Sequence, residues 1–155
     1  MRQFKPPHPI ENNGFKSIFL AGTIDMGNSE DWQSYVAEQF KDTDANIWNP
    51  RRASWDSSWT QNIENPQFYQ QVNWELNALE KSDIIIMHFS KESKAPISLL
   101  ELGLFAKSGK IFVYCPDEFY RSGNVQIVCD RYEIPLYKDL NELIYRVRKR
   151  LRHGL

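Results

Sequence analysis

The run Ile84-Ile85-Ile86-Met87 constrains the fold more than any other stretch of this 155-residue chain. It is apolar at consecutive positions, so an extended segment here needs cover on both faces. That is the pattern of a central strand in a parallel sheet layered by helices. Ser17-Ile18-Phe19-Leu20-Ala21, closed by a turn at Gly22, reads as a second buried strand, and Lys110 to Cys115 as another.

The intervening segments carry helical signals. Ser29 is placed to cap a helix with Trp32, Tyr35, Val36, Gln39 and Phe40 on its apolar stripe. Ile47-Trp48-Asn49-Pro50 resembles a strand stopped by proline. Arg51 to Asn65 follows as a long connection that Trp55 and Trp59 mark as ordered. Pro66 suits the first turn of a helix running through Phe68, Val72, Leu76 and Leu79, with Ser82-Asp83 closing it. Leu99, Leu100, Leu102, Leu104 and Phe105 make a short, strongly apolar helix that Gly109 can end. A weaker strand is expected at Gln126-Ile127-Val128 or Ile134-Pro135-Leu136, then a helix from Asp139 onward. Strands alternating with helices specify an α/β chain: a flavodoxin-like or Rossmann-like three-layer α/β/α sandwich around a central parallel sheet. Residues 1–15, with Pro6, Pro7, Pro9 and the Asn12-Asn13-Gly14 turn, read as a flexible N-terminal leader, and residues 16–155 as a single domain.

Composition narrows the function classes. A net charge of -1 argues against binding nucleic acid polymers or anionic membranes. The basic stretch Arg146 to His153 reads as a helix end that complements the macrodipole, or as a contact for a polyanion or partner. Cys115 and Cys129 form neither a CxxC pair nor a metal-ligand spacing, so free thiols in a reducing compartment are expected, with no metal or other cofactor. The first residues lack the character of a signal peptide and no apolar run is long enough to span a bilayer, so a soluble, cytoplasmic protein is expected.

In an open parallel sheet, ligands bind beyond the carboxyl ends of the strands. That rule selects Gly22 to Gly27, Asn49 to Trp59, His88 to Glu101 and Pro116 to Asn124. Glu101 stands out as a carboxylate between core-type residues, where burial is costly unless the charge is partnered. It is a site residue or an exposed glutamate on the outer face of an amphipathic helix.

Glu101-Leu102-Gly103, with the Gly109-Lys110 strand entry behind it, resembles the nucleoside 2-deoxyribosyltransferase family, whose nucleophile lies in such an element. Four other stretches agree in order and spacing: Phe19 to Ile24, Ser82 to Ile86, Pro116 to Tyr120 followed by Gly123-Asn124-Val125, and Asn49 to Arg52 with Gln71 to Leu76. The last pair looks like the family's transferase-like branch. The resemblance implies attack by the Glu101 carboxylate on C1′ of a nucleoside or 5′-nucleotide and expulsion of the base. The (deoxy)ribosyl group then passes to another base or to water. It also implies Asp83 as a base-contacting or site-organising acid, and Asn124 as a residue donated to a neighbouring subunit's site in a homodimer or higher oligomer. Gly22, Thr23 and Asp25 fall in the implied substrate loop. Where better-known members have an acid or serine six residues before the nucleophile, this sequence has Ala95, and the nearby hydroxyl is Ser98.

Arg51 and Arg52 fit either a 5′-phosphate or carboxylate partners, and Trp55 and Trp59 either a stacked nucleobase or a packed lid. Glu75 reads as half of a structural salt bridge with one of those arginines, and His88 as an acid near the base or a polar strand end. Cleavage of NAD-like dinucleotides and catalytically silent nucleotide binding are the competing functional readings.

Overall fold

The computed structural model describes residues 1–25 and 29–153. The elements in chain order are β1 (Arg2–Phe4), β2 (Ser17–Gly22), α1 (Trp32–Glu38), β3 (Asn46–Trp48), α2 (Pro66–Lys81), β4 (Ile84–His88), α3 (Pro96–Phe105), β5 (Ile111–Tyr114), α4 (Ser122–Arg131), β6 (Leu136–Tyr137) and α5 (Leu140–His153). Six strands form one sheet in the order β1-β3-β2-β4-β5-β6, and each pairing is parallel. This is the flavodoxin-like α/β architecture expected, with an added edge strand.

Alternation along β4 divides the core. Ile85 and Met87 pack with Trp74, Ala78 and Leu79 of α2, Leu102 of α3, and Val125 and Cys129 of α4. Ile84 and Ile86 pack with Trp32 and Val36 of α1 and with Leu143 and Val147 of α5. Helices α2, α3 and α4 therefore cover one face and α1 and α5 the other, which is why β4 is apolar from Ile84 to Met87.

Several expectations need correction. Residues 2–4, read as part of a leader without regular hydrogen bonds, pair with β3 as strand β1. The prolines that suggested otherwise begin at Pro6, beyond the paired residues. The α1 cap is Asp31, which accepts from the Ser34 amide at 3.1 Å, while Ser29 Oγ donates to the Ile24 carbonyl at 2.8 Å. Gln126-Ile127-Val128 lies inside α4, and the alternative site supplies β6. β-Branched residues favour strands only where the surroundings let them pack, and Ile127 is 69% exposed here.

Candidate functional site

The sheet order reverses between β2 and β4: the chain leaves β2 toward β3 and later returns to the other side of β2. The crevice beyond the carboxyl ends of these strands is the expected ligand position for this architecture. The loops there are tied together. Ser93 Oγ donates to Asp25 Oδ1 at 2.8 Å, and Thr23 Oγ1 accepts from the Ser90 amide at 3.2 Å, so the loops after β2 and β4 hold each other. The loop after β3 is fastened to α2 by Gln71 Nε2, which donates to the Pro50 carbonyl at 3.0 Å.

Glu101 enters this region on α3, the helix that follows the β4 loop. Pro96 stands at its first position, where a missing N–H costs nothing. Ser98, Glu101 and Leu102 are its buried residues, so Ser98 and Glu101 lie three apart on the inward face. Glu101 is only 7% exposed, and its side chain has no hydrogen-bond partner among the described residues. Burial and the neighbouring Glu75 charge raise its pKa to about 8.

Glu75 is the acid that the sequence reading assigned to a salt bridge. It makes no ion pair among the described residues. Instead Gln71 Nε2, one helical turn earlier on α2, donates to its Oε1 at 2.7 Å. Burial raises the Glu75 pKa to about 7, and the Gln71 hydrogen bond pulls it the other way. Burial disfavours the ionised form of both carboxyls, and the Glu75 charge adds to that at Glu101, so the two resist simultaneous ionisation.

The other candidates divide by position. Thr23 is buried, and its hydroxyl and amide both engage β4 or the loop after it. Asp25 is exposed at the crevice and takes a left-handed φ of 48°. Met26 and Gly27, which complete that candidate loop, lie outside the described residues. Arg51 lies beyond β3, but its guanidinium reaches Gln33 Oε1 at 3.2 Å, the Glu30 carbonyl at 2.8 Å and Asp31 at 3.3 Å, which ties it to the α1 side. Trp55 packs on Trp59 with centroids 5.2 Å apart, and the Arg52 guanidinium covers Trp59 at 4.9 Å. Asn124 is exposed in the first turn of α4.

Asp83 is not brought to Glu101. It precedes β4 and accepts from the Ser17 amide at 2.8 Å and the Ser17 hydroxyl at 3.0 Å, joining the starts of β2 and β4. Five strand residues, roughly 16 Å, separate it from the carboxyl end. His88 is at the correct end, but its ring stacks on Trp32 at 4.5 Å and meets Tyr114 at 4.7 Å, on the α1 face of the sheet. Burial lowers its pKa to about 4, which leaves the imidazole neutral and a poor acid at neutral pH. Cavities of about 420 and 290 Å³ lie at the opposite end of the sheet, lined by Lys16, Asp42 and Arg148 and by Ser82, Asp83 and Lys110. Neither includes the carboxylate pair. Among the described residues no cluster of His, Cys, Asp or Glu could hold a metal ion, and no helix is long and apolar enough to cross a membrane.

Comparison with known proteins adds family and fold. The family model described as nucleoside 2-deoxyribosyltransferase like matches residues 15–119, which include β2, the loops after β2, β3 and β4, Glu75 and Glu101, and end before Asn124. No curated protein matches the chain. A conserved protein from Enterococcus faecalis V583 has a similar solved structure: TM-score 0.62 at 13% identity, covering 88% of this chain and 99% of that one.

Proposed function

We propose that this chain, which belongs to the nucleoside 2-deoxyribosyltransferase-like family, cleaves the N-glycosidic bond of a nucleoside or 5′-nucleotide with Glu101 as nucleophile and Glu75 as its proton partner. The observation that carries this reading is Glu101, buried on the inward face of α3, with the charge of the Gln71-bound Glu75 beside it. In the reactive state Glu101 is ionised and Glu75 carries a proton. A Glu101 oxygen bonds to C1′ as the C1′–N bond breaks. The released electron pair goes to the base nitrogen, which takes the Glu75 proton. In the second step water or another base attacks C1′, the Glu101 ester bond breaks, and Glu75 receives the incoming group's proton. Glu75 thus takes the role that the resemblance suggested for Asp83.

Incubation with a panel of nucleosides, 5′-nucleotides and dinucleotides, with and without a second base, tests the reaction. A free purine or pyrimidine, or an exchanged base, is the expected product. Release of nicotinamide alone would replace this substrate class, and ligand-induced thermal stabilisation without turnover would replace catalysis with binding.

The active form is a homodimer in this reading. Ile97, Leu100 and Leu104 on the outer side of α3 are 58–60% exposed, and no charged residue interrupts them. The exposed positions of α5 carry Lys149, Arg150 and Arg152 instead. An apolar, uncharged face can meet its own copy across a twofold axis without like-charge repulsion. Exposed Asn124 is on the same helical layer. Leu100→Glu should convert the dimer to a monomer by light scattering; a dimer that survives it would move the interface elsewhere.

A further inference from the structure

Gln71 is an amide on the buried face of a helix, 3% exposed, between two groups that it joins. Its Nε2 donates to the Pro50 carbonyl at 3.0 Å and to Glu75 Oε1 at 2.7 Å. An amide nitrogen has two hydrogens, so both are used, while Gln71 Oε1 is buried without a partner. The orientation is therefore fixed by the backbone. Flipping the amide would set its oxygen against the Pro50 carbonyl, two acceptors facing each other. Pro50 is itself buried, two residues past the end of β3.

We propose that Gln71 is the positioning residue of Glu75: anchored on the Pro50 carbonyl, it keeps Glu75 Oε1 an acceptor and confines any proton on Glu75 to Oε2. Its relevance to turnover rests on the function proposed above; its effect on the proton does not. A proton on Oε1 would displace the Gln71 donor, whereas a proton on Oε2 leaves that bond intact. When Glu75 is the acid, the same bond presents its proton from a single oxygen. When Glu101 holds the proton, the bond stabilises the Glu75 anion. Glu101 feels the Glu75 charge, and at Glu75 burial and the Gln71 hydrogen bond act in opposite directions.

The test reads the proton directly, without substrate. Glutamate carboxyl carbons are labelled with ¹³C, the Glu75 and Glu101 signals are assigned from Glu75→Gln and Glu101→Gln, and the protein is titrated. Gln71→Met keeps the length and removes both donors. Gln71→Asn keeps the amide but is too short to reach both partners, and it provides a second variant if the buried thioether unfolds the chain. In a folded variant the lower midpoint of the pair should rise by about one pH unit, the effect of losing a hydrogen bond to an anion. In a Glu75→Gln background the same change should leave the Glu101 midpoint in place. An unmoved lower midpoint overturns the proposal, and so does an equal shift of Glu101 without Glu75, which would make Gln71 a packing residue. The proton effect with no turnover on any substrate would refute the proposed reaction and leave the positioning role standing.

Discussion

Glu101→Gln is expected to lose at least about 10³-fold in turnover while remaining folded, the scale seen when a nucleophile is removed from a catalytic unit. The amide keeps the shape of the side chain and cannot form the glycosyl ester. The same substitution should stabilise the protein at alkaline pH, and the direction follows from the proton balance. With a folded pKa of about 8 against 4.5 for the free side chain, the folded state keeps a proton that the unfolded chain has released. Wild-type stability therefore falls as pH rises through that window, and a glutamine has no proton to lose. The variant should gain on the order of 2 kcal/mol relative to wild type between pH 5 and pH 8, about 5 °C in Tm. His88 acts at the acid side: its lowered pKa removes stability as pH falls from 6.5 toward 4, equally in both proteins. Wild-type turnover in the variant would refute the nucleophile, and parallel Tm curves from pH 5 to 8 would refute the buried, protonated Glu101. If turnover is lost, a 2-fluoro sugar substrate should leave its adduct on the wild-type peptide containing Glu101.

How much of this was readable beforehand depends on which physical signal each residue carries. The run Ile84 to Met87 of β4 showed its two-sided burial directly, because consecutive apolar residues in a strand need cover on both faces. Glu101 was visible as a carboxylate among leucines. Glu75 was read instead as a salt-bridge partner, because the stripe through Phe68, Val72, Leu76 and Leu79 reaches the core with Leu79 and Leu76 but runs beside the centre of the buried face. The helix buries Gln71, Trp74, Ala78 and Leu79, a face partly polar because it borders the crevice. Two polar residues four apart in an otherwise core-forming helix were the available sign, and Gln71 and Glu75 are that pair. Asp83 could have been set aside on position alone, since it enters a strand and ligands gather where strands end. Strand β1 is three residues long, too short to display a period. α4 contradicted its local β propensity because its exposed side tolerates β-branched residues that a strand would bury.

Gly22 supplies the second large effect, through the close approach of β2 to β4. It pairs in register with His88 across β2 and β4, has φ 140°, and a Cβ built on it would lie 2.3 Å from the His88 carbonyl oxygen and 2.7 Å from its nitrogen. Both contacts are to backbone, so no side-chain rotation relieves them. One residue later the Thr23 amide donates to the same His88 carbonyl at 3.0 Å, so the strand cannot retreat without breaking that bond. Gly22→Ala should therefore cost about 3 kcal/mol, the upper part of the range for overpacking, and lower Tm by roughly 10 °C. Gly109→Ala is the internal comparison: φ there is 71° but nothing lies within 4 Å of the added Cβ, so it isolates backbone strain at about 1–2 kcal/mol. If Gly22→Ala melts no lower than Gly109→Ala, the close approach of β2 to β4 at the floor of the crevice is wrong. If it melts lower, the remaining folded protein should also lose activity, because a strand displaced at Gly22 carries Thr23 and Asp25 with it, and Asp25 holds the Ser93 loop that leads into α3 and Glu101.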